Sequence, residues 1–357
     1  MRNIKETFTT LEYKDSALVL IDQRKLPTEI TYFTCNNYKD VEFAVRDMVV
    51  RGAPAIGATA AYGYYLAAQE FAAIPEESEF LKRLRDASDY LEQARPTAVN
   101  LRWGLRRMGI LAMNHKDAPR EELLILLKKE ADAIKQEDID TNRAIGRIGN
   151  EVIPEHAVIL THCNTGALAT AGWGTALGVI KEAYHTGKDI FVYADETRPR
   201  LQGARLTAWE LQQAGIPSKL IADSVAATLI RDGKIDCVIL GGDRVAANGD
   251  VCNKIGTFML SVICKMYGVP FYSVVPVSTI DFEIESGDYI PIEERDASEV
   301  THIRGVQTAP DHMDVYNPAF DVTPHQNITG IITEAGIIRP PFKEHIEKIR
   351  KSLSEAT

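Results

Sequence analysis

The sequence has no CxxC pair and no cysteine–histidine spacing of the kind that holds zinc. Its five cysteines, Cys35, Cys163, Cys237, Cys252 and Cys264, lie scattered along the chain. An odd, dispersed set of thiols fits a reducing compartment better than a disulfide-stapled scaffold. The first residues, MRNIKETFTTLEYKD, contain no apolar leader segment, so export is not expected and a cytoplasmic location is. Long hydrophobic runs are missing too. The least charged stretch, Gly52 to Ala73, carries only Glu70, but its Ala, Gly, Thr and Tyr content and its Pro54 and Gly57 suit a buried helix, not a membrane span. Positive charge is in short supply: 40 Lys plus Arg stand against 50 Asp plus Glu, a net −10. Nucleic acid is therefore a poor partner, because counterion release needs a basic face. A small anion stays open as a ligand, since one cationic pocket can sit on an acidic surface. Finally, no G-x-G-x-x-G follows a strand, and neither GxxxxGK[ST] nor GxSxG occurs. Dinucleotide, P-loop and serine-hydrolase chemistries lose their usual support.

What is present is an ordinary globular composition, 45% hydrophobic and 25% charged over 357 residues, long enough for two domains. Residues 8–35 alternate polar and apolar in short runs (ALVLIDQ, EITYFTC), which predicts a few small strands. From about 40 to 150 the period becomes helical. Phe80, Leu81, Leu84, Ala87 and Leu91 share one face, and Leu123, Leu124, Leu127, Ala131 and Ile134 another, with Pro75, Pro96 and Pro119 marking helix boundaries. Beyond residue 150, short apolar runs (AVILTHC, IFVYADE, SKLIADS, CVILGGD, FYSVVPV) alternate with helix-like segments. That texture predicts a doubly wound, mainly parallel α/β sheet. The expected organisation is a strand-plus-helix-bundle domain over 1–145 and an α/β domain over 146–357.

In such a sheet the ligand crevice lies beyond the carboxyl ends of the strands. Each run breaks into polar residues there: His162-Cys163-Asn164-Thr165-Gly166, Asp195-Glu196-Thr197-Arg198, Asp223-Ser224 and Gly241-Gly242-Asp243-Arg244. Asp and Ser at these positions also serve as helix caps, so none is diagnostic alone. Cys237 and Cys264 sit inside apolar runs as small hydrophobes. Cys163 stands where a strand hands over to a helix expected to start between Gly166 and Gly172, whose positive end would favour a thiolate or a nearby anion. His162 is not its dyad partner, because adjacent strand residues point to opposite faces. Asp243 follows two glycines that permit close backbone approach, and apolar surroundings would raise its carboxyl toward proton-transfer range; a cap or a bridge to Arg244 is the plainer alternative. A thiol and a carboxyl on two strand ends make an acid/base pair that needs no metal. Anion cradles are suggested by Arg51-Gly52-Ala53-Pro54, by Arg95-Pro96-Thr97, and by Asn253-Lys254-Ile255-Gly256-Thr257, each placing a cation at a helix start.

These stretches, taken in order, resemble the methylthioribose-1-phosphate isomerases and the superfamily they share with ribose-1,5-bisphosphate isomerase and the regulatory subunits of a eukaryotic translation-initiation exchange factor. The resemblance runs from VRDMVVRGAPAIGATAAYG through RPTAVNLRWGL, THCNTGALATAGWGTALGVI, VYADETRPRLQGARLTAWEL and ILGGDRVAANGDVCNKIGT to PFYSVVPVSTID. It implies that Cys163 and Asp243 are the acid/base residues. It also implies that Arg51, Gly52, Ala53, Arg95, Gln202, Asn253 and Lys254 bind a sugar-phosphate substrate. A Rossmann-like second domain, a homodimer, no metal, no organic cofactor and an aldose–ketose isomerisation complete what the resemblance implies.

Overall fold

The computed structural model describes residues 2, 4, 7–95 and 98–355; Pro96 and Thr97, which the sequence reading used as a helix boundary and anion-site neighbours, lie outside them. The chain forms two compact units, the smaller comprising Glu6–Thr141 with Gly166–Gly174, the larger comprising Asn142–Thr165 and Thr175–Thr357 together with the start of the chain.

The smaller unit opens with three antiparallel strands, β1 (Leu11–Lys14), β2 (Ala17–Ile21) and β3 (Tyr32–Cys35). Asp15 and Ser16 join β1 to β2 with φ of 49° and 62°, the primed geometry that matches strand twist. Helices follow: α1 (Tyr38–Arg46), α2 (Ala53–Glu70), α3 (Glu77–Glu92), α4 (Val99–Asn114) and α5 (Arg120–Asn150). Asn37 caps α1 by accepting the amides of Lys39 and Asp40 at 2.9 and 3.0 Å. The uncharged run of the sequence is α2, buried from Ala55 to Ala68, and among the described residues no helix is long and apolar enough to cross a membrane. α4 crosses α2 so closely that a Cβ at Gly104 would lie 2.6 Å from the Gly57 carbonyl. Phe80, Leu84, Ala87 and Leu91 of α3 and Leu123, Leu127, Ala131 and Ile134 of α5 fill the same core, as their period demands. The division between the units falls inside α5, after Thr141.

The larger unit is built on seven strands: β4 (His156–Thr161), β5 (Asp189–Asp195), β6 (Ser218–Ile221), β7 (Cys237–Leu240), β10 (Phe271–Val274), β15 (Gly330–Thr333) and β16 (Gly336–Ile338). Their order is β16-β15-β10-β7-β4-β5-β6, parallel throughout except for the edge strand β16. The main helices between them are α6 (Ala176–Thr186), α7 (Ala208–Gln213), α8 (Val225–Arg231) and α9 (Thr257–Tyr267). A second sheet, absent from the sequence reading, orders β11 (Ile280–Asp281), β8 (Arg244–Ala246), β9 (Val251–Lys254) and β14 (Phe320–Thr323). One helical turn, α10 (Ser298–Thr301), and a hairpin of β12 (His302–Ile303) and β13 (Val306–Gln307) precede β14, and α11 (Phe342–Glu355) ends the chain. Two large apolar clusters lie in this unit, one drawing on β4, β5, α6 and the end of α5, the other on β7, α8, α9 and α11, and a smaller one joins Ala246, Cys252 and Ile290.

Candidate active site

In the large sheet the chain runs outward from β4 through β5 to β6, then returns to the other side of β4 for β7, β10 and β15. The strand order reverses between β4 and β7, which is where doubly wound sheets open a ligand crevice. The two strands pair in parallel, with Ile159 opposite Cys237 and Leu160 opposite Val238. Cys163 lies two residues past the end of β4 and Asp243 three residues past the end of β7. The sequence-predicted thiol and carboxyl thus leave neighbouring strands at the same edge.

The two glycines before Asp243 are explained by packing. A Cβ at Gly241 would lie 2.7 Å from Thr165 Cγ2, and one at Gly242 would lie 2.9 Å from Val275 and 3.0 Å from Val251. The amide of Asp243 donates to the Cys252 carbonyl at 2.8 Å, tying it to β9. Its side chain is exposed, so the apolar enclosure expected from the strand does not extend to it: β7 ends at Leu240 and the glycines supply nothing to cover it. Arg244 bridges to Asp281 at 3.8 Å.

Cys163 is buried and adopts φ 62°, the left-handed region. The helix expected to start at Gly166–Gly172 does not: a 3₁₀ turn, Ala167–Ala169, occupies that stretch and Gly166–Gly174 joins the smaller unit. The helix α6 begins only at Ala176, and its Leu177 amide is taken by Thr165 Oγ1 at 3.2 Å. No helix dipole therefore ends at Cys163. Hydroxyls hold its backbone instead. Its N–H donates to Thr197 Oγ1 at 2.8 Å, and its carbonyl accepts from Thr207 Oγ1 at 2.5 Å.

Both ring nitrogens of His162 are engaged by groups other than the thiol. Its Nδ1 lies 2.9 Å from Asp195 Oδ2 and its Nε2 lies 2.9 Å from the Ile255 carbonyl. Two acceptors flank one ring, so the His162–Asp195 pair carries a proton beyond neutral imidazole plus carboxylate. Burial works against the imidazolium, but the hydrogen bond and charge of Asp195 outweigh it and hold the His162 pKa above its ordinary value. Burial also pushes Asp195 up to about 6, against the pull of His162. Asp223 lies close enough to complete a three-residue metal cluster with this pair. Its two oxygens, however, accept the amides of Thr197 and Arg198 at 2.7 Å each. With both His162 nitrogens engaged as well, the trio is laid out as a hydrogen-bond network.

The remaining site residues divide by unit. In the larger, Gln202 is buried with an unpartnered Oε1 and leads directly into a π-helical turn, Gly203–Thr207. Such turns frequently mark functional sites. Asn253 is buried and donates to Thr257 Oγ1 at 3.0 Å, while Lys254 reaches the Ala319 carbonyl at 2.9 Å. The amide cradle expected at the start of α9 is already occupied. Asp321 accepts the Gly256 and Phe258 N–H groups at 2.7 and 3.0 Å, so these two amides are not open to an anion. In the smaller unit, Arg51 and Arg95 are half-buried. Gly52 and Ala53 open α2, where a Cβ on Gly52 would lie 2.3 Å from the Ala169 carbonyl oxygen. Sequence reasoning placed Asp195 and Thr197 only among the polar residues at a strand end and missed Thr207 and Glu210, which lie in the helix-like ARLTAWELQQAG with no local signal.

The initiation factor 2 subunit family matches residues 49–340. A methylthioribose-1-phosphate isomerase from Caldanaerobacter subterraneus subsp. tengcongensis is 64% identical over 98% of this chain and 100% of its own. The chain belongs to the methylthioribose-1-phosphate isomerase family. A crystal structure of 5-methylthioribose 1-phosphate isomerase from Pyrococcus horikoshii OT3 superposes with a TM-score of 0.92 at 45% identity, covering 97% of each chain. An A. fulgidus structure described as translation initiation factor eIF-2B, subunit delta, gives 0.87 at 42% identity over 97% of this chain and 100% of that one. Membership of the isomerase family agrees with the doubly wound sheet and with a thiol and a carboxyl at its switch point.

Proposed function

We propose that this chain is an aldose–ketose isomerase that converts 5-methylthioribose 1-phosphate into 5-methylthioribulose 1-phosphate in methionine salvage. The observation supporting the reading is that Cys163 and Asp243 lie just beyond the carboxyl ends of β4 and β7, the two strands that flank the switch point. The phosphate on O1 prevents the sugar from opening to a free aldehyde, so the ring must be opened by a protein acid. That acid protonates the ring oxygen as its bond to C1 breaks. Hydrogen then moves from C2 to C1, and the O2 proton leaves to a base as the C2 carbonyl forms. The transfer runs either as a hydride shift or through an enol that loses a proton from C2 and regains one at C1. Cys163 and Asp243 supply the acid and the base on either route. Solvent deuterium at C1 after reaction in heavy water marks the proton route.

Arg51, Gly52, Ala53, Arg95, Gln202, Asn253 and Lys254 are the substrate-binding positions in this reading, the cations and amides serving the phosphate. The unpartnered Gln202 Oε1 supports a place beside a sugar hydroxyl. A cytoplasmic homodimer belongs to the same proposal. Its support is an exposed apolar stripe on α9, Phe258, Met259, Val262 and Met266, which light scattering of the purified chain would test against a monomer. The deciding experiment for function is turnover. The purified protein should convert 5-methylthioribose 1-phosphate, followed by phosphorus NMR. Conversion of ribose 1,5-bisphosphate alone would move it to the sister activity, and inertness toward both would move it to the regulatory subunits.

A further inference from the structure

A parallel strand normally has its amides and carbonyls satisfied by its neighbours. The ladder between β4 and β5 ends with Thr161 opposite Ala194, two residues short of Cys163. Beyond that point side chains take over, and they come from elements far apart in the chain. Thr197 Oγ1 accepts the Cys163 N–H at 2.8 Å and donates to the Asp195 carbonyl at 3.1 Å. The Thr197 amide is fixed in turn by Asp223 Oδ1 at 2.7 Å. On the other side, the Thr207 hydroxyl donates to the Cys163 carbonyl at 2.5 Å. Its oxygen accepts from Asn164 Nδ2 at 3.2 Å, and the same amide group reaches Glu210 Oε1 at 2.8 Å. Glu210 forms a buried ion pair with Lys181 at 3.4 Å.

Both threonines are fully buried, and each directs its hydroxyl to the backbone of Cys163, one to the amide and the other to the carbonyl. Thr207 closes the π-helical turn Gly203–Thr207, which is pressed against the end of β5: a Cβ on Gly203 would come within 1.6 Å of the Asp195 carbonyl oxygen. The turn cannot back away without moving Thr207. The residue so gripped is the one non-glycine residue of the β4 exit loop, His162–Thr165, with a left-handed φ. A backbone of that kind persists only where its surroundings over-determine it.

We propose that Thr197 and Thr207 are positioning residues for the isomerase reaction: their hydroxyls clamp the amide and carbonyl of Cys163 and fix the direction of its thiol toward the sugar phosphate. This rests on the reading of Cys163 as an acid/base group, and the test separates the two. Thr207→Val, Thr207→Ser, Thr197→Val and Thr197→Ser are made in the full chain, and kcat and KM are measured with 5-methylthioribose 1-phosphate. In parallel, iodoacetamide labelling of Cys163 is followed against pH by peptide mass spectrometry. The other four cysteines have pKa values pushed to about 12 by burial, so thiolate labelling near neutral pH does not report them.

Each valine variant should lower kcat on the order of 10- to 100-fold while KM stays within about twofold, because misplacing one reacting group is costly in the chemical step only. The midpoint of Cys163 labelling should move with it, and each serine variant should restore both readouts. Wild-type kcat and an unmoved labelling profile in the valine variants would overturn the clamp. So would serine variants as impaired as the valines, since the methyl group would then be what matters. If Thr207→Val does not fold, the Thr197 pair decides by the same criteria. Near-native turnover of Cys163→Ser would instead sink the catalytic reading, and the labelling profile would still report whether the hydroxyls set the geometry at residue 163.

Discussion

Two glycines of the smaller unit should respond to the same substitution with opposite signs. Gly52 precedes α2 at φ +92°, and an added Cβ would stand 2.3 Å from the Ala169 carbonyl oxygen and 2.4 Å from its Cα. Both obstacles are backbone, so no side chain can swing aside. The left-handed conformation costs an alanine roughly 1–2 kcal/mol, and forcing a methyl into a filled space costs about 1–3 kcal/mol more. Gly52→Ala should therefore destabilise by about 2–5 kcal/mol. Gly109 sits inside α4 with nothing within 4 Å of an added Cβ. There an alanine removes backbone entropy from the unfolded chain at no steric cost, a gain of about 0.5–1 kcal/mol. At about 2–4 °C per kcal/mol for a body of this size, calorimetry should place the first transition roughly 4–20 °C lower and 1–4 °C higher, respectively. Shifts of one sign in both variants, or no loss in Gly52→Ala, would refute the close approach of Ala169 to the start of α2. Because Arg51, Gly52 and Ala53 lie at that start, the destabilised variant should also lose affinity for substrate.

Three further outcomes follow from the site. Cys163→Ser and Asp243→Asn should each lower kcat by about 100-fold or more, the scale of a lost acid/base group, with the circular dichroism spectrum unchanged; near-native turnover in either removes that residue from the chemistry. Arg51→Ala should act mainly on KM, and an unaltered KM would take Arg51 out of the phosphate clamp. Asp195→Asn should flatten the pH dependence of stability between about pH 4 and pH 6. Burial raises the Asp195 pKa from 3.8 to about 6, so the folded chain keeps a proton that the unfolded chain has lost across this window, and the contribution falls as pH rises. His162, also raised, acts in the same direction. Urea midpoints with the same slope in wild type and variant would contradict this assignment.

The large sheet was legible because its central strands β7 and β10 are buried throughout and β4 and β5 nearly so; β4, β5, β6, β7 and β10 all fall where AVILTHC, IFVYADE, SKLIADS, CVILGGD and FYSVVPV place them, although the edge strand β6 is only half-buried or exposed. The smaller sheet was not, because β8, β9 and β14 are three or four residues each and mix charged with apolar side chains. Two local expectations differ from the structure, each for its own reason. The helix expected to start between Gly166 and Gly172 begins only at Ala176, and the start of α9, expected to offer free amides, has its Gly256 and Phe258 N–H groups taken by Asp321. Whether a helix end is open depends on a side chain that arrives from elsewhere: Asp321 is 65 residues from Gly256. Local spacing cannot report that.

The same non-locality explains why the candidate acid/base pair is readable and its surroundings are not. Cys163 and Asp243 each end an apolar run, so position alone draws attention to them. The network around Cys163 consists of a threonine after β5, another in a π-helical turn, an aspartate after β6 and a glutamate on α7. Each of these, taken singly, looks like a helix cap or a solvated charge. The buried pairs His162–Asp195 and Lys181–Glu210 are a poor investment in stability, since desolvation offsets most of the attraction between such charges. What they do accomplish is directional: one engages the residue before Cys163 and the other engages the residue after it. A loop pinned on both flanks, with its central amide and carbonyl each held by a hydroxyl, has little freedom left in φ and ψ. That restriction is what general acid–base catalysis requires of a short side chain such as cysteine, whose reach is too small to compensate for a wandering backbone.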